Sequence, residues 1–253
     1  MLVIERATRR LTQLSGGLVL YGASMALMIE SRLGLDPWDV FHQGLSDVTG
    51  VRFGWIVILV GAAVLLLWIP LRQRPGLGTV ANVVVVGLAA DATLALLPTA
   101  EPMALRIAFL VSGVVLNGVA TGLYIGARLG PGPRDGLMTG YVARRPGRSV
   151  RLVRTVIEVT VLAVGWLLGG TVGVGTVLYA VAIGPLAHVF IPLFTVPPRE
   201  PSRPEPAPPA SPTRGAPPPA RAEPAAADGL PVPRSGQRAV ADPQPVQSAE
   251  VTR

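Results

Sequence analysis

The chain lacks both cysteine and lysine, and it contains only two histidines, His42 and His188. Without cysteine it can form no disulfide, no thiolate metal site and no thiol nucleophile. Without lysine it has neither a Walker A phosphate loop nor a lysine Schiff base. Two imidazoles are too few for a dedicated transition-metal centre. We therefore predict neither a metal nor a cofactor.

The chain is also poor in charge. Charged residues make up 15% of the 253 positions and apolar residues 50%, and the mean hydropathy of +0.50 is too high for a soluble domain with a polar surface. The apolar residues fall in blocks of about twenty, the length that crosses a hydrocarbon layer of ~30 Å as helix. These features predict an all-α, polytopic membrane protein with the lipid bilayer as its main partner.

Six apolar segments indicate about six transmembrane helices. Arg9 and Arg10 precede the first segment as they would in a signal peptide. Five further segments follow, however, and no clear small-x-small cleavage site ends the first, so an uncleaved helix is favoured. The predicted spans are residues 11–31, 53–71, 78–97, 104–127, 152–169 and 173–196.

Arginine placement predicts the orientation of these spans. If the N-terminus is cytoplasmic, the inside segments collect twelve arginines: Arg6, Arg9, Arg10, Arg72, Arg74, Arg128, Arg134, Arg144, Arg145, Arg148, Arg151 and Arg154. The outside segments keep three: Arg32, Arg52 and Arg106. The positive-inside rule then places both termini in the cytoplasm of a multi-pass cell-membrane protein. The basic loop 128–154 serves first as this topology signal. An anionic-lipid or nucleic-acid site is the sharper alternative, and we predict no nucleic-acid partner.

The two ends of the chain differ from the apolar middle. Residues 1–10 are expected to be a cytoplasmic N-terminus. Residues 197–253 are rich in proline and alanine and carry almost no large apolar side chains. Such a segment cannot bury enough surface to offset its ordering entropy. It is predicted to be a disordered cytoplasmic tail that acts as a spacer or docks on a proline-reading domain.

Two stretches share one frame of glycine, proline and aspartate: GLDPWDVFHQG from Gly34 and GPGPRDGLMTG from Gly130. At an offset of 96 the following pairs match: Gly22/Gly118, Arg32/Arg128, Gly34/Gly130, Pro37/Pro133, Asp39/Asp135, Gly44/Gly140 and Arg52/Arg148. At an offset of 97, Gly78-Thr79-Val80 matches Gly175-Thr176-Val177. We interpret residues 11–97 and 104–196 as two repeats. Each has three spans, so the second enters the membrane from the opposite side. Such inverted three-helix repeats recur in secondary transporters.

Within each repeat the shared frame predicts the start of a short helix. Asp36 suits the N-cap, Pro37 the first helical position and Asp39 the third, and Gly132-Pro133-Arg134-Asp135 repeats the pattern. Gly34 and Gly130 allow the backbone to turn beforehand. At about ten residues these helices are too short to span, so they are expected to be interfacial or re-entrant. Trp38 would suit the outer interface and Arg134 the inner one.

Four polar side chains are candidates for a substrate or ion path. Asp39 and Asp135 either satisfy local amides or line a site at the helix starts. Asp91, in the third span, and His188, in the sixth, are related by the 97-residue offset. They either form a pair that relays protons or binds a cation, or each reaches water near a helix end.

A stripe of glycines recurs every four residues along the fourth span. Gly118, Gly122 and Gly126 lie on one helix face, which is typical of close helix packing. The stripe does not tell whether the packing is within the chain or at a homodimer interface.

The segments LGLDPWDVFHQGLS, GTVANVVVVG and LGPGPRDGLMTG resemble the YczE/YyaS/YitT family of bacterial integral membrane proteins. The resemblance covers residues 11–196 and leaves out the tail. It implies a multi-pass cytoplasmic-membrane protein without a well-defined activity, and it supplies no catalytic residues.

Two functions follow from these patterns. The first is a small transporter or permease with inverted repeats, moving an unknown small solute or ion. The second is a non-transporting scaffold or regulator that acts through its basic loop or tail. No hydrolase elbow, metalloprotease helix, nucleotide fingerprint or paired-carboxylate cleft is present, so we do not expect an enzyme.

Overall fold

The computed structural model describes residues 2–145 and 147–196, without the side chains of residues 2–6. The predicted disordered tail, 197–253, lies outside the described residues. Every regular element within them is a helix, which agrees with the predicted all-α class. The eight helices are α1 (Leu2–Ser31), α2 (Pro37–Thr49), α3 (Phe53–Trp68), α4 (Leu77–Leu96), α5 (Met103–Gly126), α6 (Pro133–Arg144), α7 (Val150–Leu167) and α8 (Val174–Phe194).

Four helices are long and apolar enough to cross a membrane. They cover Ala7–Ser31 of α1, Leu77–Leu96, Met103–Gly126 and Val174–Phe194. α2 and α3 together meet the same test but are bent by 115° at the break between them, as in a broken span or a re-entrant loop. α7, predicted as the span 152–169, is a helix that contains Arg151, Arg154 and Glu158, so it is less apolar than the others. The described residues therefore hold four clear candidate spans, or five with the bent pair.

Local sequence rules explain where the short helices begin. The Asp36 carboxylate accepts hydrogen bonds from the backbone amides of Trp38 and Asp39 at 2.8 and 2.9 Å, so it caps α2, whose first residue is Pro37. α6 begins at Pro133 behind a glycine N-cap, Gly132, which has no side chain to offer. The two short helices thus start at equivalent positions of the shared frame.

Equivalent residues of the two sequence halves make reciprocal contacts. The Gly175 amide donates to the Leu33 carbonyl at 2.8 Å, and the Gly78 amide donates to the Leu129 carbonyl at 2.9 Å. Leu33 corresponds to Leu129 at the offset of 96, and Gly78 corresponds to Gly175 at the offset of 97. The two hydrogen bonds are therefore equivalent. The backbone conformation repeats as well, because φ is +53° at Arg32 and +55° at Arg128. Each half therefore uses its post-helix turn to bind the start of a long helix in the other half.

The turns that make these bonds require glycine. Gly34 has φ +119° and Gly130 has φ +133°, both in the region that other residues rarely adopt. A Cβ on Gly34 would lie 2.8 Å from the hydroxyl of Thr176, and one on Gly130 would lie 2.7 Å from that of Thr79. Glycine is therefore required at both positions by the positive φ angle of the turn and by the close contact with the threonine of the other half.

α1 and α5 form the centre of the helix assembly. They run antiparallel, since Asn117 of α5 bonds Ser24 of α1 while Gln13, near the other end of α1, bonds the Leu123 carbonyl. α4 packs on α1 and α8 packs on α5, while α2 contacts α7 and α3 contacts α6. The short helix of each half, α2 or α6, therefore packs against a helix of the other half, α7 or α3, so the two halves interlock.

The glycine stripe of α5 faces α8. A Cβ on Gly118 would lie 2.7 Å from Leu186, one on Gly122 equally near the backbone of Phe190, and one on Gly126 2.6 Å from the Phe194 carbonyl. Three successive turns thus bring the two helices together within the chain.

We expect Gly122→Ala to lower the free energy of unfolding by about 2 kcal/mol, because the new methyl group meets the α8 backbone rather than a side chain that can move. Gly184→Ala, on α8, is the matched control. Nothing lies within 4 Å of a Cβ at Gly184, so that change should be neutral or slightly stabilising. Thermal unfolding of the detergent-purified proteins measures both. Equal stability of the two variants would contradict the packing described here.

Candidate functional site

A cavity of about 230 Å³ lies between the two sequence halves. We call it the inter-half cavity. Each of the eight helices contributes at least one residue to its wall. Its charged and imidazole-bearing lining residues are Asp36, His42, Arg134, Asp135, Arg154 and Glu158. The short helices α2 and α6 both start at this cavity, so the glycine, proline and aspartate frame that the two sequence halves share lies beside it.

Asp36 is buried at the junction of the α1–α2 turn and the cavity. Its Oδ1 atom caps α2, whereas its Oδ2 atom is buried and has no hydrogen-bond partner among the described residues. Burial raises the pKa of this carboxyl to about 6, and the charge of Asp39 acts in the same direction while Arg134 opposes both. A carboxylate with one satisfied and one free oxygen can still receive a ligand.

Arg134 joins the two halves electrostatically. Its guanidinium nitrogens lie 3.7 Å from Asp36 Oδ1 and 3.5 Å from Asp39 Oδ1, and its plane covers the Trp38 ring at 5.1 Å from the ring centroid. These ion-pair distances are longer than those of ideal charge-assisted hydrogen bonds. One cation therefore serves two carboxylates loosely and is held in place by the aromatic face.

Asp39 is fully buried and contacts side chains. Its Oδ1 atom lies 3.2 Å from His42 Nδ1 as well as near Arg134, and its Oδ2 atom has no hydrogen-bond partner among the described residues. The ring of His42 packs edge-on against Phe53. The backbone cap of α2 is therefore made by Asp36, and Asp39 belongs to a charged cluster with His42 and Arg134.

Asp135, the counterpart of Asp39, has a different environment. Its Oδ2 atom accepts a hydrogen bond from the Tyr124 hydroxyl at 3.0 Å. The Tyr124 ring in turn meets Tyr21 edge-to-face at 6.0 Å between centroids. The hydrogen-bond partner of this carboxylate is thus a neutral phenol, whereas that of Asp39 is an arginine.

A neutral polar chain crosses the same region. Tyr179 donates to Asn117 Oδ1 at 3.1 Å, and Asn117 Nδ2 is 3.0 Å from the Ser24 hydroxyl. This links α8, α5 and α1, as interhelical amide bonds do in membrane proteins. It fixes the Tyr179 ring at the cavity.

The other two predicted path residues lie elsewhere. Asp91 accepts a hydrogen bond from the Gly54 amide at 2.6 Å and is 4.0 Å from Arg52, so it satisfies the start of α3. His188 is exposed on α8. Neither residue lines the inter-half cavity, and the structure does not bring them together.

The sequence did not indicate that Arg134 contacts Asp36 and Asp39, and it did not select His42, Tyr21, Tyr124 or Tyr179 as cavity residues. One signal was available. Trp38 and Arg134 occupy equivalent positions at the offset of 96, and in the structure they stack on each other. Two equivalent residues can touch only near the axis that relates the halves. A position where the copies differ in charge, at the start of a short helix, therefore marks the centre of the site.

Comparison with known proteins identifies the family. Residues 8–192 match the family of unknown function DUF6198. The chain belongs to this family. It is 40% identical over 174 residues to an uncharacterized protein of Haemophilus influenzae strain Rd, which covers 69% of this chain and 79% of that protein. It is 34% identical over 178 residues to the uncharacterized membrane protein YczE of Bacillus subtilis strain 168, covering 70% and 82%.

A third relative extends the same group. The chain is 26% identical over 181 residues to the uncharacterized protein YyaS of Bacillus subtilis strain 168, covering 70% of this chain and 90% of that protein. These matches confirm the resemblance found in the repeated motif. No solved structure matches the chain. With YczE described as a membrane protein and at least four apolar helices present, this DUF6198 member is a membrane protein.

Proposed function

We propose that this DUF6198 protein is a small-solute transporter of the cell membrane, with the inter-half cavity as its solute site. The observation that carries the proposal is the cavity itself, because residues of both halves form its wall and three of its charged residues, Asp36, Arg134 and Asp135, lie at the starts of α2 and α6. Ligand sites of transporters with inverted repeats are commonly found in this position. The alternative is a scaffold or regulator that acts through its basic loop or its tail, and the tail lies outside the described residues.

The proposal includes six spans arranged as two inverted repeats. The reciprocal bonds of Leu33 with Gly175 and of Leu129 with Gly78 support a two-fold relation between the halves. The bent α2–α3 pair would supply one span and a short re-entrant helix, and α6–α7 would be its counterpart. In α7 the charges of Arg154 and Glu158 pair at 2.8 Å, which lowers the cost of placing them near the membrane.

The inverted orientation predicts opposite labelling of two equivalent positions. Asp47 on α2 and Ala143 on α6 are both exposed and are related by the offset of 96. Because the chain has no native cysteine, Asp47→Cys and Ala143→Cys each introduce a single thiol. A membrane-impermeant maleimide should label Asp47→Cys on intact cells and Ala143→Cys only after permeabilisation. Labelling of both from the same side would rule out the inverted arrangement.

Transport is tested by charge movement or tracer uptake in proteoliposomes that contain the full chain and are offered a panel of small cations, anions and neutral solutes. For any solute that is carried, Asp39→Asn should lower flux at least about tenfold, since it alters the charged cluster at the site. Asp47→Asn, an exposed acid on the same helix, is the control and should transport normally.

Two parallel variants separate transport from the scaffold alternative. Asp135→Asn should also impair flux, while a chain lacking residues 197–253 should retain it. If Asp39→Asn and Asp135→Asn both leave the cellular phenotype intact and removal of the tail abolishes it, the protein acts as a scaffold.

A further inference from the structure

The inter-half cavity carries more negative than positive charge. Arg154 and Glu158 bond each other at 2.8 Å, so this pair adds no net charge to the cavity. Arg134 then remains as one guanidinium among the carboxylates of Asp36, Asp39 and Asp135. The hydroxyl that bonds Asp135 is neutral. A buried excess of negative charge is costly unless a carboxyl takes up a proton or a cation joins it.

Unused hydrogen-bonding atoms mark where such a cation would sit. Asp36 Oδ2 is a buried acceptor without a hydrogen-bond partner among the described residues, and Asp36 lines the cavity, whereas Asp39 lies behind it. Trp38 also lines it, is 94% buried, and has an indole N–H that is likewise unpartnered. The free carboxylate oxygen of Asp36 attracts a cation, whereas the free indole donor of Trp38 requires an acceptor on the same ligand.

The wall also favours an organic cation over a bare ion. The rings of Tyr21, Tyr124 and Tyr179 line the cavity, and aromatic faces attract alkylammonium groups. A metal ion would need several oxygen or nitrogen ligands, and the described residues contain no group of three acidic, histidine or cysteine side chains suited to one. A volume of about 230 Å³ falls below that of pockets for drug-sized ligands, so the occupant is small.

We propose that the inter-half cavity binds a small organic cation that carries a hydroxyl or carbonyl oxygen. Its cationic nitrogen contacts the free oxygen of Asp36, and its oxygen accepts from the Trp38 indole. Arg134 stays on Asp39 and over the Trp38 ring, where it positions both groups. The inference names the solute class of the proposed transporter and rests on that function only for its physiological role, because binding is measured separately.

Choline, ethanolamine and tetramethylammonium are suitable probes for the purified full-length protein, with 3,3-dimethylbutan-1-ol as the neutral isostere of choline and 3,3-dimethylbutanoate as an anion of similar shape. At a concentration far above its Kd, choline or ethanolamine should raise Tm by about 5 °C. The neutral isostere and the anion should leave Tm unchanged. Tetramethylammonium, which lacks the oxygen, should bind more weakly than choline.

Two variants assign the contacts. Asp36→Asn retains an N-cap residue of equal quality but removes the charge, so it should weaken choline binding at least about tenfold in calorimetric titration. Asp47→Asn should bind as the unmodified protein does. Trp38→Phe should abolish the preference for choline over tetramethylammonium without affecting the latter, and it keeps the test available if Asp36→Asn does not fold.

The outcomes separate this inference from the proposed function. Equal Tm shifts with choline and its neutral isostere, a shift with the anion alone, or no shift with any of the three cations would each overturn the cation site. If choline binds but is not transported in proteoliposomes, the result supports the cation site and contradicts choline transport. Flux of an anion without binding of any cation supports transport and overturns the inference.

Discussion

Replacing Arg134 with glutamine is expected to lower the free energy of unfolding by about 3 kcal/mol. The change leaves the buried carboxylates of Asp36 and Asp39 without a cation, and breaking a buried pair in this way costs about 3–5 kcal/mol. The Arg134 side chain keeps 25% of its surface exposed, so solvent screens part of the loss and the lower end of that range applies. Chemical or thermal unfolding in detergent measures the effect.

Arg148→Gln is the matched control for this prediction. Arg148 is exposed, so its removal should change stability by less than about 0.5 kcal/mol. Adding Asp39→Asn to Arg134→Gln should restore at least about 1 kcal/mol, because one uncompensated charge disappears with it. A double variant that is less stable than Arg134→Gln alone would show that Arg134 acts through packing on Trp38 rather than through charge.

The sequence could predict the local part of this site because capping depends on only four residues. Asp36 and Pro37 define the start of α2 wherever the helix lies in the fold, and Gly132 and Pro133 do the same for α6. The frame shared by the two halves could be recognised for the same reason, since its glycines occupy positions where the φ angle or a close contact excludes most other residues. Gly34 and Gly130 illustrate both constraints.

The tertiary part of the site could not be predicted by the same rules. Arg134 is 95 residues from Asp39, and their contact depends on how the two halves interlock. The motif left two interpretations of Asp39 open, a local cap or a site residue, because an acidic residue at the third helical position is typical of a capping box. In the structure Asp36 alone makes the cap, which leaves Asp39 for Arg134 and His42.

The predicted pair of Asp91 and His188 shows that a shared sequence offset does not by itself predict contact. Equivalent positions meet only close to the axis that relates the halves, as Trp38 and Arg134 do. Asp91, on α4, binds the start of α3, whereas His188 is exposed on α8, so the two residues do not meet. The offset predicts that two residues occupy equivalent positions. Whether they touch depends on how the helices pack, which the sequence of one chain does not reveal.

Trp68→Ala is expected to lower the free energy of unfolding by about 4 kcal/mol, the second large effect. Trp68 ends α3 and is 98% buried, and its indole donates to the Pro133 carbonyl at 3.1 Å. A Cβ on Gly136 of α6 would fall on the indole ring, so the ring fills the space that the glycine leaves. Truncation creates a cavity at the contact between the halves and removes the hydrogen bond from the indole to the Pro133 carbonyl.

Trp166→Ala is the control, because Trp166 is exposed on α7 and its loss should cost less than about 1 kcal/mol in a detergent micelle. Trp68→Phe separates the two contributions, since it retains most of the ring volume but cannot donate to Pro133. A loss of about 1–2 kcal/mol in Trp68→Phe would assign the remainder to packing on Gly136. Because Pro133 begins α6, next to Arg134, the same variant should also weaken choline binding. Unchanged binding with reduced stability would show that Trp68 supports the fold without positioning the charged cluster.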